Sequence, residues 1–67
     1  MENYWVLIYE TNKGFEAEIV KGMLLEHEIE AFIINKQDSS YHFGSIEMYV
    51  SANDVMKAKT LILTLNL

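Results

Sequence analysis

The sequence predicts an α+β fold with elements in the order β-α-β-β-α. Runs of β-branched and aromatic residues at 4–9, 29–35 and 46–50 have the composition of strands. Apolar residues recur at helical spacing between the first two runs and again after the third. A polar loop at 36–45, with turn-forming Asp, Ser and Gly, separates the second strand from the third.

Length and composition predict one globular domain spanning residues 1–67. A chain of 67 residues buries only about 60% of its unfolded surface, so small folds often gain stability from disulfides, metals or self-association. The chain has no Cys, which excludes disulfides, and two His far apart in sequence predict neither a metal nor a cofactor. Self-association remains as an expectation.

The charge balance argues against two classes of partner. The net charge is −5, and the five Lys are scattered along the chain. Nucleic acids and anionic membranes both require clustered basic residues, so neither is predicted as a partner. The apolar run at 4–9 is far shorter than the roughly 20 residues that span a bilayer. Glu2 stands where a secretory signal carries positive charge, which predicts a cytoplasmic protein.

The first predicted strand is apolar on both faces. Strict alternation would place Tyr4, Val6 and Ile8 on one face and Trp5, Leu7 and Tyr9 on the other. A strand with one wet face alternates more cleanly. Because a single layer of helices covers only one face, the second face is expected to need another cover.

Helix 1 is predicted over residues 13–27, with Thr11 and Asn12 as candidate N-caps. Gly22 is expected to permit a close approach to the sheet, and Glu16 lies in the first turn, where the helix dipole favours an acid. The predicted core arc contains Phe15, Ile19, Val20, Met23 and Leu24.

Helix 2 follows the third strand, whose Ile46, Met48 and Val50 are predicted to share a face. Ser51 and Asp54 have the spacing of a capping box. Two structures fit the tail at 61–67, a continued helix or a fourth strand. No turn residue precedes the tail, so a helix to about Thr64 is favoured. Its core stripe is Val55, Ala58, Ile62 and Leu65, with a second apolar stripe of Met56, Leu63 and Leu67.

The compact arrangement of these elements is a split β-α-β fold. A right-handed crossover and an antiparallel return place strand 3 between the other two, in the order 2-3-1, with both helices on one face. This is a ferredoxin-like two-layer sandwich that lacks a fourth strand. Strand 1 is then an apolar edge, which is an aggregation hazard unless a second copy, a partner or the tail covers it.

The residues described so far resemble a small bacterial family of unknown function, the Putative prokaryotic signal transducing protein family. The resemblance runs from about Val6 to Ile62, and one departure is Glu28, where the family usually has a helix-ending Gly. It implies a ferredoxin-like fold and a signalling or regulatory role, and it supplies no catalytic residues. The matching positions are Glu16-Ala17-Glu18, Ile29, Ala31, Asn35, Val50, Asp54 and Ala58.

Candidate site residues are few, and none forms a catalytic constellation. The carboxylates are interpreted as a solvated helix face, and no Ser lies in a nucleophile turn. The aromatic pair Tyr41 and Phe43 flanks His42 in the 36–45 loop, either contacting a ligand or partner or folding back over the open sheet face beside Trp5. The possible ligand or partner contacts are therefore Trp5, Asp38, Tyr41, His42 and Phe43.

The expected function is that of a small non-enzymatic regulatory or signal-transducing module that binds a protein or a small ligand. We expect a homodimer, formed through the strand 1 edge or the apolar sheet face. Two alternatives remain open. One is a small enzyme with its site near Asp38, Tyr41, His42 and the start of helix 1, and the other is a structural subunit of a larger assembly.

Overall fold

The computed structural model describes residues 4–36 and 45–65. The three strands form one antiparallel sheet in the order β1-β3-β2, which confirms the predicted α+β class and the split, ferredoxin-like arrangement. The element order is also as predicted. The elements are β1 (Trp5–Thr11), α1 (Gly14–Glu26), β2 (Ala31–Asn35), β3 (Ile46–Ser51), a 3-10 turn (Ala52–Asp54) and α2 (Val55–Leu65).

The core lies between the two helices and one face of the sheet. The central strand β3 buries Ile46, Met48 and Val50 almost completely, as its alternation predicted. These side chains form one cluster with Ile29 and with small or branched residues of both helices: Ala17, Val20, Leu24 and Ala58. Among the described residues, both helices therefore pack on the same face of the sheet.

A β-bulge in β1 changes which side chains share a face. Leu7 pairs with Tyr49 and Tyr9 pairs with Met48, so Ile8 is an extra residue in the ladder. Beyond the bulge the alternation shifts by one. Tyr9 was predicted on the same face as Trp5 and Leu7, but it lies on the helix side, where it packs against the core.

Helix α1 is rotated relative to the predicted arc. Phe15 is 62% exposed and Ile19 is 45% exposed, so their assignment to the core was wrong. The predicted side-chain caps were also wrong, because Lys13 is the N-cap and no side chain bonds there. Gly22 is exposed, and a Cβ there would meet nothing within 4 Å, so it does not serve a close approach.

The end of α1 is a Schellman motif with an unusual residue at its left-handed position. The amide of Ile29 donates to the Leu24 carbonyl at 2.8 Å, and that of Glu28 donates to Leu25 at 2.9 Å. Glu28 has φ 63°, the conformation that glycine adopts most easily. Leu24 and Ile29 are both buried, which supplies the apolar contact that accompanies this motif. Ile29 is thereby excluded from β2, which begins at Ala31.

Helix α2 continues through Leu65, so the helical interpretation of the tail is confirmed as far as the structure describes it. Ser51 precedes the 3-10 turn as its N-cap and accepts from the Asn53 amide at 3.4 Å. Met56 and Leu63 are each 82% exposed, as the predicted second stripe requires. Leu67, the third member of that stripe, lies outside the described residues.

Candidate functional site

The face of the sheet opposite the helices carries a group of aromatic rings. The Trp5 and Phe32 ring centroids are 5.9 Å apart, and those of Phe32 and Tyr49 are 6.5 Å apart, all in tilted arrangements. Trp5 is 49% exposed and Phe32 is 50% exposed. These separations are favourable for aromatic pairs. The rings therefore pack on one another while much of their surface remains in contact with water.

Leu7 completes this surface, which we call the aromatic face (Trp5, Leu7, Phe32 and Tyr49). Leu7 is the cross-strand neighbour of Tyr49, and Tyr49 is the neighbour of Phe32 on its other side. The three side chains form a row across all three strands, and Leu7 is 41% exposed. An exposed apolar surface of this kind suits contact with another apolar surface or with a planar group.

An acidic row borders the aromatic face on one side. Glu10 and Glu47 are cross-strand neighbours, an arrangement of like charges that is unfavourable by itself. Glu47 Oε1 accepts from the Tyr49 hydroxyl at 2.7 Å, and Glu47 Oε2 lies 3.4 Å from Lys36 Nζ. Glu10 Oε2 accepts from the Ser45 hydroxyl at 2.6 Å. Each carboxylate thus has a polar partner at the base of the 36–45 loop or on the sheet.

These contacts change the pKa values of Glu47 and Tyr49 in opposite directions. The hydrogen bond from Tyr49, followed by that from Lys36 and its charge, lowers the pKa of Glu47, while partial burial opposes this. The same bond to Glu47 is the largest cause of a raised pKa for Tyr49, followed by burial and the negative charges of Glu47 and Glu10. At neutral pH Glu47 is therefore ionised and the Tyr49 hydroxyl is protonated.

A second hydrogen-bonded carboxylate lies on the helix side, where β1 meets α1. Glu16 Oε1 accepts from the Thr11 hydroxyl at 2.8 Å and from the Tyr9 hydroxyl at 3.0 Å. The Thr11 hydroxyl oxygen also accepts from the Lys13 amide at 3.1 Å. The bonds from Thr11 and Tyr9 lower the pKa of Glu16. Burial, then the bond to Glu16 and its charge, raise the pKa of Tyr9. This cluster ties the first turn of α1 to β1.

A shallow cleft lies between β1 and α2, on the helix side of the sheet. Its volume is about 220 Å³, and its walls are mostly apolar. It is lined by Ile8, Lys59, Ile62 and Leu63. The cleft is separate from the aromatic face, because its residues belong to the bulge of β1 and to α2, which packs on the opposite face of the sheet.

The structure describes one of the five residues predicted from sequence to contact a ligand or partner. Trp5 lies on the open sheet face, half-exposed and in ring contact with Phe32. The other four, Asp38, Tyr41, His42 and Phe43, lie outside the described residues, and so does the predicted contact of Tyr41 and Phe43 with that face.

Phe32 and Tyr49 were not predicted from the sequence to share a surface with Trp5. Their alternation in β2 and β3 placed them opposite the core residues, but the register that puts them side by side depends on strand pairing. Pairing of β2 with β3 sets Phe32 beside Tyr49, and the pairing of β1 sets Leu7 on the other side of Tyr49. The one signal in the sequence that could have indicated this surface is that Phe32 and Tyr49 are aromatic residues at positions of β2 and β3 that face away from the core.

Two further findings concern metals and membranes. Within the described residues, no group of three or more His, Cys, Asp or Glu side chains is placed to hold a metal ion. No helix in the same part of the chain has both the length and the apolar character needed to cross a bilayer.

The fold is that of a small ferredoxin-like α+β protein with helices on one face of its sheet and exposed rings on the other. The chain belongs to the family described as Putative prokaryotic signal transducing protein, whose model matches residues 5–66. The match confirms the resemblance read from the sequence and extends it over nearly the whole chain. Searches of curated proteins and of solved structures gave no match.

Proposed function

We propose that this chain is a non-enzymatic regulatory module of the cytoplasm, which transmits a signal by binding a protein or a small ligand and works as a homodimer. The aromatic face is the observation that carries the proposal. Trp5, Leu7 and Phe32 keep between 41% and 50% of their surface exposed. Exposed apolar patches on small proteins commonly mark sites of interaction. The family description, which refers to signal transduction, is consistent with such a role.

The chemistry of the hydrogen-bonded carboxylates favours binding over catalysis. Glu16 and Glu47 both have a lowered pKa. Glu16 accepts hydrogen bonds from the Thr11 and Tyr9 hydroxyls, and Glu47 accepts from the Tyr49 hydroxyl and from Lys36. A carboxylate with a lowered pKa is a weak general base near neutral pH. Glu16 also joins α1 to β1, and the Lys36 contact of Glu47 joins β3 to the end of β2, which are structural roles.

Ligand screening by NMR on the full chain tests this proposal. We expect compounds with a planar apolar group, or a purified protein partner, to shift the amide signals of Trp5, Phe32 and Tyr49. Signals of Met56, an exposed apolar residue on α2, serve as the control and should not move. The role would be refuted by turnover of a small molecule that His42→Ala abolishes without loss of stability. A binding response confined to α2 would also contradict it.

A further inference from the structure

We infer that the aromatic face is covered by a second copy of this chain, so that two sheets pack face to face in a symmetric dimer. This inference rests on the proposed function and specifies the surface through which the module self-associates. A ligand or partner that binds the same face therefore competes with the second copy. It also chooses between the two surfaces available, the open sheet face and the free side of β1 next to the cleft.

The extent of the exposed apolar surface is the first argument. A buried aromatic side chain covers about 150–250 Å², so Trp5 and Phe32 each leave roughly 100 Å² in water. With Leu7 and the ring of Tyr49 the patch reaches roughly 300–400 Å², which is the size of the largest patch on a typical monomer, and such patches are often functional. It supplies about half of the roughly 800 Å² per partner that a standard interface buries. The polar rim around it supplies the remainder.

The distribution of charge is the second argument. Each copy has a net charge of −5, so a dimer forms only where carboxylates remain apart. On this face Trp5 and the row of Leu7, Tyr49 and Phe32 lie toward one end of the strands. Glu10 and Glu47 lie toward the other end.

These positions define the symmetry of the dimer. The two-fold axis lies between the two sheets and runs across the strands, at the level of Trp5 and Leu7. Rotation about this axis places β1 over β1 of the second copy in the opposite direction, with Trp5 of one copy facing Leu7 of the other. The acidic rows then project at opposite ends of the dimer. An axis parallel to the strands would instead stack one acidic row on the other.

Pairing through the free side of β1 is the weaker choice. The bulge at Ile8 interrupts the regular alternation of that strand, and bulges are a common means of preventing edge-to-edge pairing. Edge pairing also leaves Phe32 in water, because β2 lies on the far side of β3. Face-to-face packing covers Trp5, Leu7 and Phe32 together, and packed sheets of this type lie about 10 Å apart.

Two matched variants distinguish these surfaces when sedimentation velocity is measured between about 1 µM and 1 mM protein. Phe32→Glu places a charge in the proposed interface and should raise the dimer dissociation constant by about 100-fold. Leu63→Glu, on the exposed side of α2 beside β1, should change it by less than about 3-fold. Circular dichroism establishes that both variants remain folded. The opposite pattern, with only Leu63→Glu disrupting the dimer, overturns the inference while leaving the proposed function intact.

The unmodified chain offers an independent readout, because Trp5 is its single tryptophan. We expect its fluorescence emission to shift to shorter wavelength as protein concentration rises, since the half-exposed indole becomes buried. Raising NaCl from about 50 to 500 mM should strengthen the dimer by screening two negative chains. A monomer at 1 mM, or a dimer whose Trp5 emission stays that of the monomer, overturns the inference. Ligand shifts on Trp5 and Phe32 in such a monomer would still support the binding role in the proposed function, though not the homodimer.

Discussion

The rings of Trp5 and Phe32 lie 5.9 Å apart although their strands are on opposite sides of β3. The residue of β3 that pairs with Trp5 is Ser51, whose side chain is small. The two large rings therefore reach toward each other above the central strand. This contact joins the two outer strands on the open face, where no helix packs among the described residues.

Replacing Gly22 with Ala is expected to stabilise the fold by about 1 kcal/mol. Gly22 lies in the interior of α1 and is exposed, and an added Cβ meets nothing within 4 Å. Alanine loses less backbone entropy than glycine on forming a helix. Urea denaturation measures the change. Gly14→Ala at the first position of α1 is the control and should gain only a few tenths of a kcal/mol, so equal gains would contradict the helix-interior explanation.

The left-handed residue at the end of α1 gives a second prediction, with opposite signs at two exposed acids. Glu28→Gly should stabilise the fold by about 1 kcal/mol, because φ 63° is unfavourable for a residue with a Cβ. Glu18→Gly removes the same charge from the interior of α1 and should destabilise by about the same amount. For a domain of this size, each kcal/mol shifts the melting temperature by about 4–8 °C. Two shifts of the same sign would argue against the Schellman geometry.

The Glu16 cluster predicts a pH-dependent contribution to stability. The folded-state pKa of Glu16 lies below its usual value of 4.5, chiefly because of the bond from Thr11. The contribution is therefore fully present above the unfolded-state pKa and is lost as the pH falls through the folded-state pKa. Thr11→Val should lower the melting temperature at pH 7 and have a smaller effect at about pH 2. NMR titration should show the Glu16 pKa rising toward 4.5.

Thr60→Val is the matched control for that experiment. The Thr60 hydroxyl donates to the Met56 carbonyl at 2.9 Å on the exposed side of α2, with no carboxylate in the bond. Its effect on the melting temperature should therefore be the same at both pH values. Equal pH dependence in the two variants would mean that the bond from Thr11 to Glu16 does not contribute as described.

Two methionines provide a test of where the core lies. Met48 is 1% exposed at the centre of β3, and Met56 is 82% exposed on α2. Met48→Ala should cost about 2–5 kcal/mol, through lost burial and the cavity left behind. Met56→Ala should change the free energy of unfolding by less than about 0.5 kcal/mol. A fold of this length has about 3–10 kcal/mol in total, so Met48→Ala should leave it close to unfolding. A similar loss of unfolding free energy at both sites would contradict a core that lies between the helices and the sheet.

The fold could be predicted from local patterns of apolar and turn-forming residues, because these patterns indicate which side chains of one strand or helix share a face. The alternation of Ile46, Met48 and Val50 predicted the buried face of β3, and the lack of a turn residue predicted that α2 continues into the tail. The assignment of Phe15 and Ile19 to the core was wrong, because the same patterns do not fix how a helix is rotated on the sheet. Periodicity gives a helix an apolar side, but the sheet selected the arc centred on Ala17, Val20 and Leu24.

The candidate site was less accessible to prediction, because it depends on strand register. Trp5 was identified because the first strand is apolar on both faces and one layer of helices covers only one of them. Phe32 and Tyr49 join it only through pairing across β3. The bulge in β1 also has no clear sequence signal, since Ile8 is an ordinary strand residue. It moved Tyr9 to the helix side and allowed it to reach Glu16.

The bulge has a consequence for comparing this chain with other members of its family. Ile8 has no partner of its own in the register of β1 with β3, since Leu7 opposes Tyr49 and Tyr9 opposes Met48. A relative one residue shorter at this point would keep every other pairing and the orientation of every flanking side chain. A one-residue gap opposite Ile8 is therefore the placement that preserves Trp5 on one side of the sheet and Tyr9 on the other. Alignments that put the gap elsewhere in this strand would equate residues from opposite faces.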